Sequence, residues 1–409
     1  MQEIKNGVFF AGEGGVPRQY PWMSEDEHCE VAVIGGGTAG CFAAHALARA
    51  GVDTLLISQG PIGFTAALPG SSMLSYQNEL LLTKLSKRVG KDRAIEVFGL
   101  CGSALDILED FAREAEDFGF HRRDAFLCAS APEQANELHT EYLMRKHNGF
   151  EVEFLEKAEA GERFSFPVHA GILAPGMGGE VDGYRLCHAL CRRAAEDGAR
   201  IYENTAASSI SHTHDGIEIE ASHGRTIHAK KIVLAVGTRQ EEYLRGLIAR
   251  RTVFAVATAP ARSFAGYESR ALVRDCTLDV SLHTSSDDRI IASGLDASLL
   301  GQDGRIGRLL NVDRIAEHRY AELERCLEEM LVGIPGLAPE YAYRGVYGMT
   351  RDGLPLVGCH PDYDDIYFDL PASTNGVLFS LLGANRIVEL YHGEVSEAEN
   401  PFSPVRDSL

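Results

Sequence analysis

The most constraining stretch of this chain is residues 30–57. Glu30-Val-Ala-Val-Ile34 is a short apolar run that ends in Gly35-Gly-Gly37, the pattern of a buried parallel strand. Cys41 to Ala50 is Ala-rich, with apolar residues at 42, 43, 46, 47 and 50 and Gly51 behind it. That predicts a helix closed by glycine. Thr54-Leu-Leu-Ile57 reads as the second strand of a βαβ unit. Its turn carries Gly35-x-Gly37-x-x-Gly40. Gly35 permits the tight turn, Gly37 lets the backbone approach a pyrophosphate, and Gly40 lets helix and strand pack closely. Amides at the helix start, near Thr38 and Ala39, then face the phosphates. The pattern predicts dinucleotide binding, against a merely structural glycine turn in a doubly wound sheet.

At 409 residues the chain exceeds what one core serves, so two domains are expected. Residues 79–118 have helical periodicity that Gly90 and Gly102 divide. A strand follows over 120–130 and a helix over 133–146. Ala174-Pro-Gly-Met-Gly-Gly179 reads as a flexible, turn-rich joint. Beyond it come a helix over 182–197 and strands over 199–202, 216–220 and 226–236. Residues 252–295 alternate like antiparallel strands. The pattern ends with a helix over 315–331, a loop over 333–339, strands over 354–357 and 366–370, and a helix over 377–391. The opening stretch, with Gly12, Gly14, Gly15, Pro17 and Pro21, reads as an irregular arm.

Charge narrows the partners. The formal net charge is −20, which repels phosphate backbones and anionic lipid, so a small-molecule substrate is expected rather than nucleic acid or membrane. The first 25 residues lack a signal-peptide pattern, and no apolar run approaches a membrane span. Nine scattered cysteines without a CxxC pair suit a reducing cytoplasm. Cys187 and Cys191 share a helix face, but His188 points elsewhere, so two small buried residues are expected there and no metal site. Oligomeric state is not legible.

One expected residue is missing. An acid should end the second strand and accept hydrogen bonds from the adenosine ribose. Ser58 stands there, followed by Gln59. A serine holds one hydroxyl without charge assistance, weaker by roughly 1–2 kcal/mol.

The glycine turn, together with four later segments, resembles the D-amino-acid oxidase-like FAD-dependent oxidoreductases, which include glycine oxidase, sarcosine oxidase and related amine oxidases. Gly179-Glu-Val-Asp-Gly-Tyr-Arg-Leu-Cys-His-Ala-Leu190 resembles that family's helix into its second cofactor segment. Glu203-Asn-Thr-Ala-Ala207 and Ile232-Val-Leu-Ala-Val-Gly237 resemble its adenine-side strand and later glycine turn. Thr350-Arg-Asp-Gly-Leu-Pro-Leu-Val-Gly358 resembles its T-x-D-G-x-P-x-x-G signature, and Asn375-Gly376 its flavin-side loop. The resemblance covers nearly everything from residue 25 onward. It implies an α/β fold with a Rossmann-type FAD-binding domain and a second, antiparallel-sheet substrate domain. The first is expected over 25–105, 175–245 and 340–409, and the second over 106–174 and 246–339.

The same resemblance implies the cofactor contacts. Ala207 takes the place of a small residue whose backbone meets the adenine. Thr65, Ser72, Met73 and Leu74 would run beside the pyrophosphate and flavin, unless their segment is an ordinary surface loop. The last helix would aim its positive end at the flavin, with Asn375 donating there too; the alternative is a capped terminal helix with nothing before it. Departures are as informative. Pro371-Ala-Ser-Thr374 replaces a Gly-rich loop, and Gly345 stands where sarcosine oxidase-like members attach flavin through cysteine, which implies noncovalent FAD. Tyr347 stands where glycine oxidase-like members carry a carboxylate-clamping arginine. It is the candidate catalytic residue, either hydrogen-bonding a substrate or packing as an aromatic. His283 and Ser293 read as strand residues of the substrate sheet. The implied activity is hydride transfer from a small amine or amino acid to flavin. Alternatives are a 2-hydroxy-acid oxidoreductase or a flavin-binding protein with little turnover.

Overall fold

The computed structural model describes residues 1–4, 17–64, 73–115, 117–237, 243–298, 312–334 and 337–409. The apolar run ahead of the glycine turn is the strand Glu27–Ile34, buried from Val31 onward. It lies between Thr54–Ile57 and Arg225–Leu234 and runs parallel to both. Arg200–Tyr202 and Tyr363–Leu370 extend the parallel order at either side. Leu356–His360 adds an antiparallel edge, and the hairpin Ala207–Thr213/Gly216–Ala221 completes an eight-stranded sheet. Such runs of Val, Ile and Leu need cover on both faces.

One cover is the helix Thr38–Arg49, packed between Gly183–Glu196 and Gly376–His392. Its small residues, Ala39, Gly40, Ala43 and Ala44, are all buried and allow that close approach. Asp182 starts the second of these helices by accepting the N–H groups of Tyr184 and Arg185, both at 3.0 Å, a cap worth about 1 kcal/mol. The third ends where Gly393 adopts φ +71°, a left-handed cap. Leu47, Leu186, Leu190, Leu378 and Phe379 share the core beneath, each contributing roughly 1.5–3 kcal/mol by burial.

The second sheet has ten strands. Its path is Gln2–Ile4, Pro339–Thr350, Ile248–Thr258, Ile290–Ser298, Val280–Thr284, Leu272–Asp275, His121–Ala129, Ala170–Glu180 and Met73–Ser75, with Glu153–Glu156 paired beside Ala170–Glu180. Most neighbours are antiparallel, but Gln2–Ile4 and Leu272–Asp275 each make one parallel pairing, so the sheet is mixed. The helix Val312–Met330 packs on it. Strand Pro339–Thr350, expected to begin the last cofactor segment, is hydrogen-bonded into this sheet instead.

Two local expectations need correction. Residues 174–179 are not a joint, because they lie inside strand Ala170–Glu180. A bulge opposite Arg123 to Ala125 absorbs Pro175 and Gly176, which takes φ +62°. At Gly178 a Cβ would meet Leu272 Cδ1 at 2.7 Å, so any larger residue there would have to displace that side chain. Likewise Gly90 separates helix Leu82–Val89 from Lys91–Glu114, but Gly102 interrupts nothing. Flanking helix formers and buried Cys101, Ala104 and Leu105 outweigh the propensity cost of about 1 kcal/mol for one glycine.

The amino-terminal stretch is irregular between Pro17 and Glu25, yet Tyr20 and Met23 are buried. Glu203 holds it by accepting the Tyr20 N–H at 3.0 Å, and Thr205 Oγ1 accepts the Met23 N–H at 3.1 Å. The five glycines and prolines expected to make it irregular lie partly outside the described residues.

Candidate active site

The glycine turn is built by contacts that exclude a Cβ. At Gly35, φ is +125° and an added Cβ would lie 2.3 Å from the Ala235 carbonyl oxygen. At Gly40 it would lie 1.8 Å from the Gly35 carbonyl oxygen. Gly36 meets the same limit, 2.4 Å from Ser58 Oγ. The helix begins at Thr38 with Gly37 as N-cap, no side-chain cap and no acid in its first turn. Its leading amides are thus left to an anionic ligand, and the helix dipole adds to the attraction. Thr38 Oγ1 meets the hydroxyl of Ser380 on the last helix at 3.4 Å, joining two sequence-distant helices at this point.

This turn opens into a cavity of about 970 Å³ that runs between the two sheets, near the upper size of small-molecule sites. Gly35, Gly37, Thr38, Ala39, Ser58, Gln59, Met73, Ala207, Gly237, Gly376 and Tyr347 all line it. Thr205 to Ile210 form one end, and Tyr347 stands at the other. Gly40 does not line it but packs beneath the turn. Leu74 is fully buried in the core rather than beside the cavity, because strand alternation turns it away from Met73. Asn375 is also committed elsewhere, donating through Nδ2 to the Ser75 carbonyl at 2.6 Å. Thr65 and Ser72 lie outside the described residues. Pro371 to Thr374 form part of the wall, followed by the amino end of the last helix at Gly376 and Val377.

The far end is polar, and the sequence reading missed most of it. Arg251, Arg274, Asp279, Ser281, Asp296 and Glu79 line the cavity around Tyr347. Arg274 and Glu79 form a two-pronged pair at 3.0 and 3.2 Å, and Thr374 Oγ1 donates to the same carboxylate at 2.8 Å. Burial pushes the Glu79 carboxyl up, but Arg274 and these hydrogen bonds hold it below the ordinary glutamate range. Arg251 stands directly across from Tyr347 on the neighbouring strand, so both side chains emerge on one face. No ion pair ties Arg251 to another described side chain.

Asp296 reaches the cavity through a bulge. Strand alternation from Ser293, which also lines the cavity, would turn Asp296 to the opposite face. Between Thr252 and Phe254 the pairing slips, Gly294 takes φ +140° and Leu295 φ +53°, and Asp296 is returned to the Ser293 side. Gly294 is held there because a Cβ would lie 2.2 Å from the Asp279 carbonyl oxygen. The Tyr347 hydroxyl donates to Asp296. Burial pushes the Asp296 carboxyl up to about 6, against the Tyr347 hydrogen bond, and Asp279 is likewise raised by burial. Burial and Asp296 both raise the Tyr347 phenol. His283 is fully buried, and its imidazole is pushed down to about 4 by burial alone. It does not reach the cavity.

Cys187 and Cys191 are buried, with Cys191 Sγ 3.5 Å from Cys41 Sγ. No metal-binding cluster occurs among the described residues.

The model of the DAO family, FAD dependent oxidoreductase, matches residues 30–390. The chain belongs to this family. The DAO-family chain is 24% identical to a glycine oxidase of Geobacillus kaustophilus (strain HTA426) over 392 residues, 92% of this chain and 97% of that protein. It is 20% identical to a gamma-glutamylputrescine oxidoreductase of Escherichia coli (strain K12), over 94% of this chain and 89% of the other. Its fold is similar to the crystal structure of the Geobacillus kaustophilus glycine oxidase, with TM-score 0.77, 22% identity, and 93% and 99% of the two chains covered. It is also similar to L-amino acid deaminase from Proteus vulgaris, with TM-score 0.74, 15% identity, and 95% and 99% covered.

The residues present fit the family's cofactor: a Cβ-excluding glycine turn, an open helix start and a long cavity suit an extended dinucleotide. In the family signature, Asp352 is fully buried and takes two guanidinium bonds from Arg406, at 2.7 and 2.8 Å. It also accepts Leu354 N–H and Ser408 Oγ–H, so the acid in this motif braces the turn.

Proposed function

We propose that this FAD-dependent oxidoreductase oxidises a small amino acid or other amine that carries a carboxylate. The observation that carries this reading is Arg251, a guanidinium open to the cavity without an ion-pair partner among the described side chains, standing across from Tyr347. A carboxylate would take two parallel hydrogen bonds from it. Tyr347 then borders the substrate, with its hydroxyl turned to Asp296. The carboxylate clamp that Tyr347 cannot provide would thereby come from the adjacent strand.

In this reading FAD is held noncovalently. Gly35, Gly37, Thr38 and Ala39 offer amides to its pyrophosphate, Ser58 and Gln59 meet the ribose, and Ala207 meets the adenine. Met73, Gly237 and Gly376 would flank the remainder. Neither cysteine nor histidine is among the described residues that line the cavity. The flavin supplies the hydride acceptor. Glu79 and Arg274 neutralise each other and keep the wall fixed, so Arg251 is the cation left for the substrate.

The test is anaerobic bleaching of the flavin absorbance. Glycine, sarcosine and L-proline should reduce the protein, whereas methylamine, dimethylamine and pyrrolidine, which lack the carboxylate, should be at least 100-fold poorer. Arg251→Met should remove that gap, costing about 2–3 kcal/mol in binding the acids. Reduction by lactate but by none of these amines would overturn the reading, as would a flavin that none of them bleaches.

A further inference from the structure

The bulge at Gly294 and Leu295 has no role in closing the sheet, since the strand pairs regularly on both sides of it. What it does is aim one carboxylate. Resting on the reading above, we propose that Asp296 is a catalytic base that takes a proton from the substrate's ammonium nitrogen before hydride leaves. An amine can expel hydride only from its neutral form, because the nitrogen lone pair must become the new C=N bond. An amino acid arrives at neutral pH as an ammonium ion. The proton needs an acceptor inside the cavity, beside the carboxylate clamp.

Asp296 meets that need by position. It lines the cavity two strands from Arg274 and adjacent to the strand that bears Arg251. The groups that face it are the Tyr347 hydroxyl, Arg251, the carboxylates of Asp279 and Glu79, and Arg274 beyond. Glu79 is already occupied by Arg274 and Thr374. Asp296 has a single described donor, Tyr347, and so keeps acceptor capacity toward the cavity. Its elevated proton affinity, near 6, matches a base working at neutral pH.

The step balances. The substrate N–H bond breaks and an O–H bond forms on Asp296. The nitrogen pair would then make C=N as the hydrogen leaves with the C–H electron pair, giving an iminium ion; bound FAD would supply the hydride acceptor. The proton passes from Asp296 to solvent as the iminium ion departs.

The experiment is the pH profile of anaerobic flavin reduction at limiting sarcosine, glycine and L-proline. The wild type should show an acid limb near pH 6 and a plateau above it. Asp296→Asn should lose that limb and fall about 100-fold or more at pH 7. Its rate should then climb tenfold per pH unit toward the wild-type plateau, because free amine needs no base. Tyr347→Phe, which keeps the carboxylate but removes its donor, should move the wild-type limb to higher pH. An Asp296→Asn enzyme that retains the acid limb, or is slowed equally at every pH, overturns this inference and leaves the amine reading standing. A Tyr347→Phe limb that stays in place also counts against it, and this arm survives even if Asp296→Asn misfolds. If no amine bleaches the wild-type flavin, the function reading itself falls.

Discussion

Gly40→Ala tests the geometry on which the proposed cofactor binding rests. The new Cβ would sit 1.8 Å from the Gly35 carbonyl oxygen, a backbone atom that no rotamer change can move. An ordinary C···O contact is about 3.3 Å, so turn and helix must part by about 1.5 Å. Hydrogen bonds tolerate only a few tenths of an ångström around their optimum. At least one of the amides proposed to bind the pyrophosphate is then lost, at about 1.5–3 kcal/mol for a bond to a charged group. The separation itself adds about 1–3 kcal/mol of overpacking, or more. Titration of apoprotein with FAD, followed by quenching of flavin fluorescence, should show at least a tenfold loss of affinity. The melting temperature should drop without FAD as well. Gly102→Ala is the control: its Cβ meets only Met177 Sδ, at 3.8 Å, inside a continuous helix. That variant should be more stable by about 0.5–1 kcal/mol, with unchanged FAD binding. If Gly40→Ala takes up FAD within threefold of the wild type, the tight turn is not what positions the amides.

Other perturbations probe the frame. Arg145→Met would strand the Glu141 carboxylate, which accepts Leu82 and Thr83 N–H groups and is fully buried against Arg145; urea unfolding should show a loss of about 3–5 kcal/mol, and a loss below 1 kcal/mol would mean that the helix amides alone satisfy the carboxylate. Asp369 is fully buried, both its oxygens lack described partners, and burial holds its carboxyl well above the usual range. Its folded pKa exceeds the unfolded one, so the stability it lends is present below pH of about 4 and is lost as pH rises toward the folded pKa. Asp369→Asn should therefore gain on the wild type in melts from pH 5 to pH 8, and a gain that stays flat with pH would sink the assignment. Gly383→Ala should destabilise, since its Cβ would lie 2.5 Å from Asp369 Oδ1; a melt unchanged from wild type would mean that the carboxyl can turn aside.

The first βαβ unit was legible because every part of it is local: strand, glycines and helix follow one another within thirty residues or so. Elements with strong periodicity, such as Gly183–Glu196 and Gly376–His392, could be read for the same reason. Ala174 to Gly179 misled because glycine and proline mark bulges as well as turns, and only the partner strand tells them apart. The polar end of the cavity was hidden by distance along the chain. Glu79 and Arg274 are 195 positions apart, and Arg251 meets Tyr347 only through strand register. One signal was available: Asp296, an acid two residues past Gly294 in the mostly apolar run from Ile290. Charged residues in such a run are costly to bury without a purpose. Asn375 looked like a site residue by its place before the helix, and its bond to Ser75 depended on a strand at 73–75 that no pattern announced.

The order of strands in the parallel sheet bears on how the protein is made. Glu27–Ile34 emerges early, yet its neighbour Arg225–Leu234 and the Ala235 carbonyl that closes on Gly35 come about two hundred residues later. The helix meeting Thr38 is later still, at Gly376. While the ribosome is still working, the glycine loop can rest on Ile57 and Gly63, which follow it closely, but it lacks the Ala235 side of its support. If the proposed pyrophosphate site is right, a chain cut short before residue 225 should bind FAD far more weakly than the whole chain, because the Ala235 carbonyl that closes on Gly35 is missing from it.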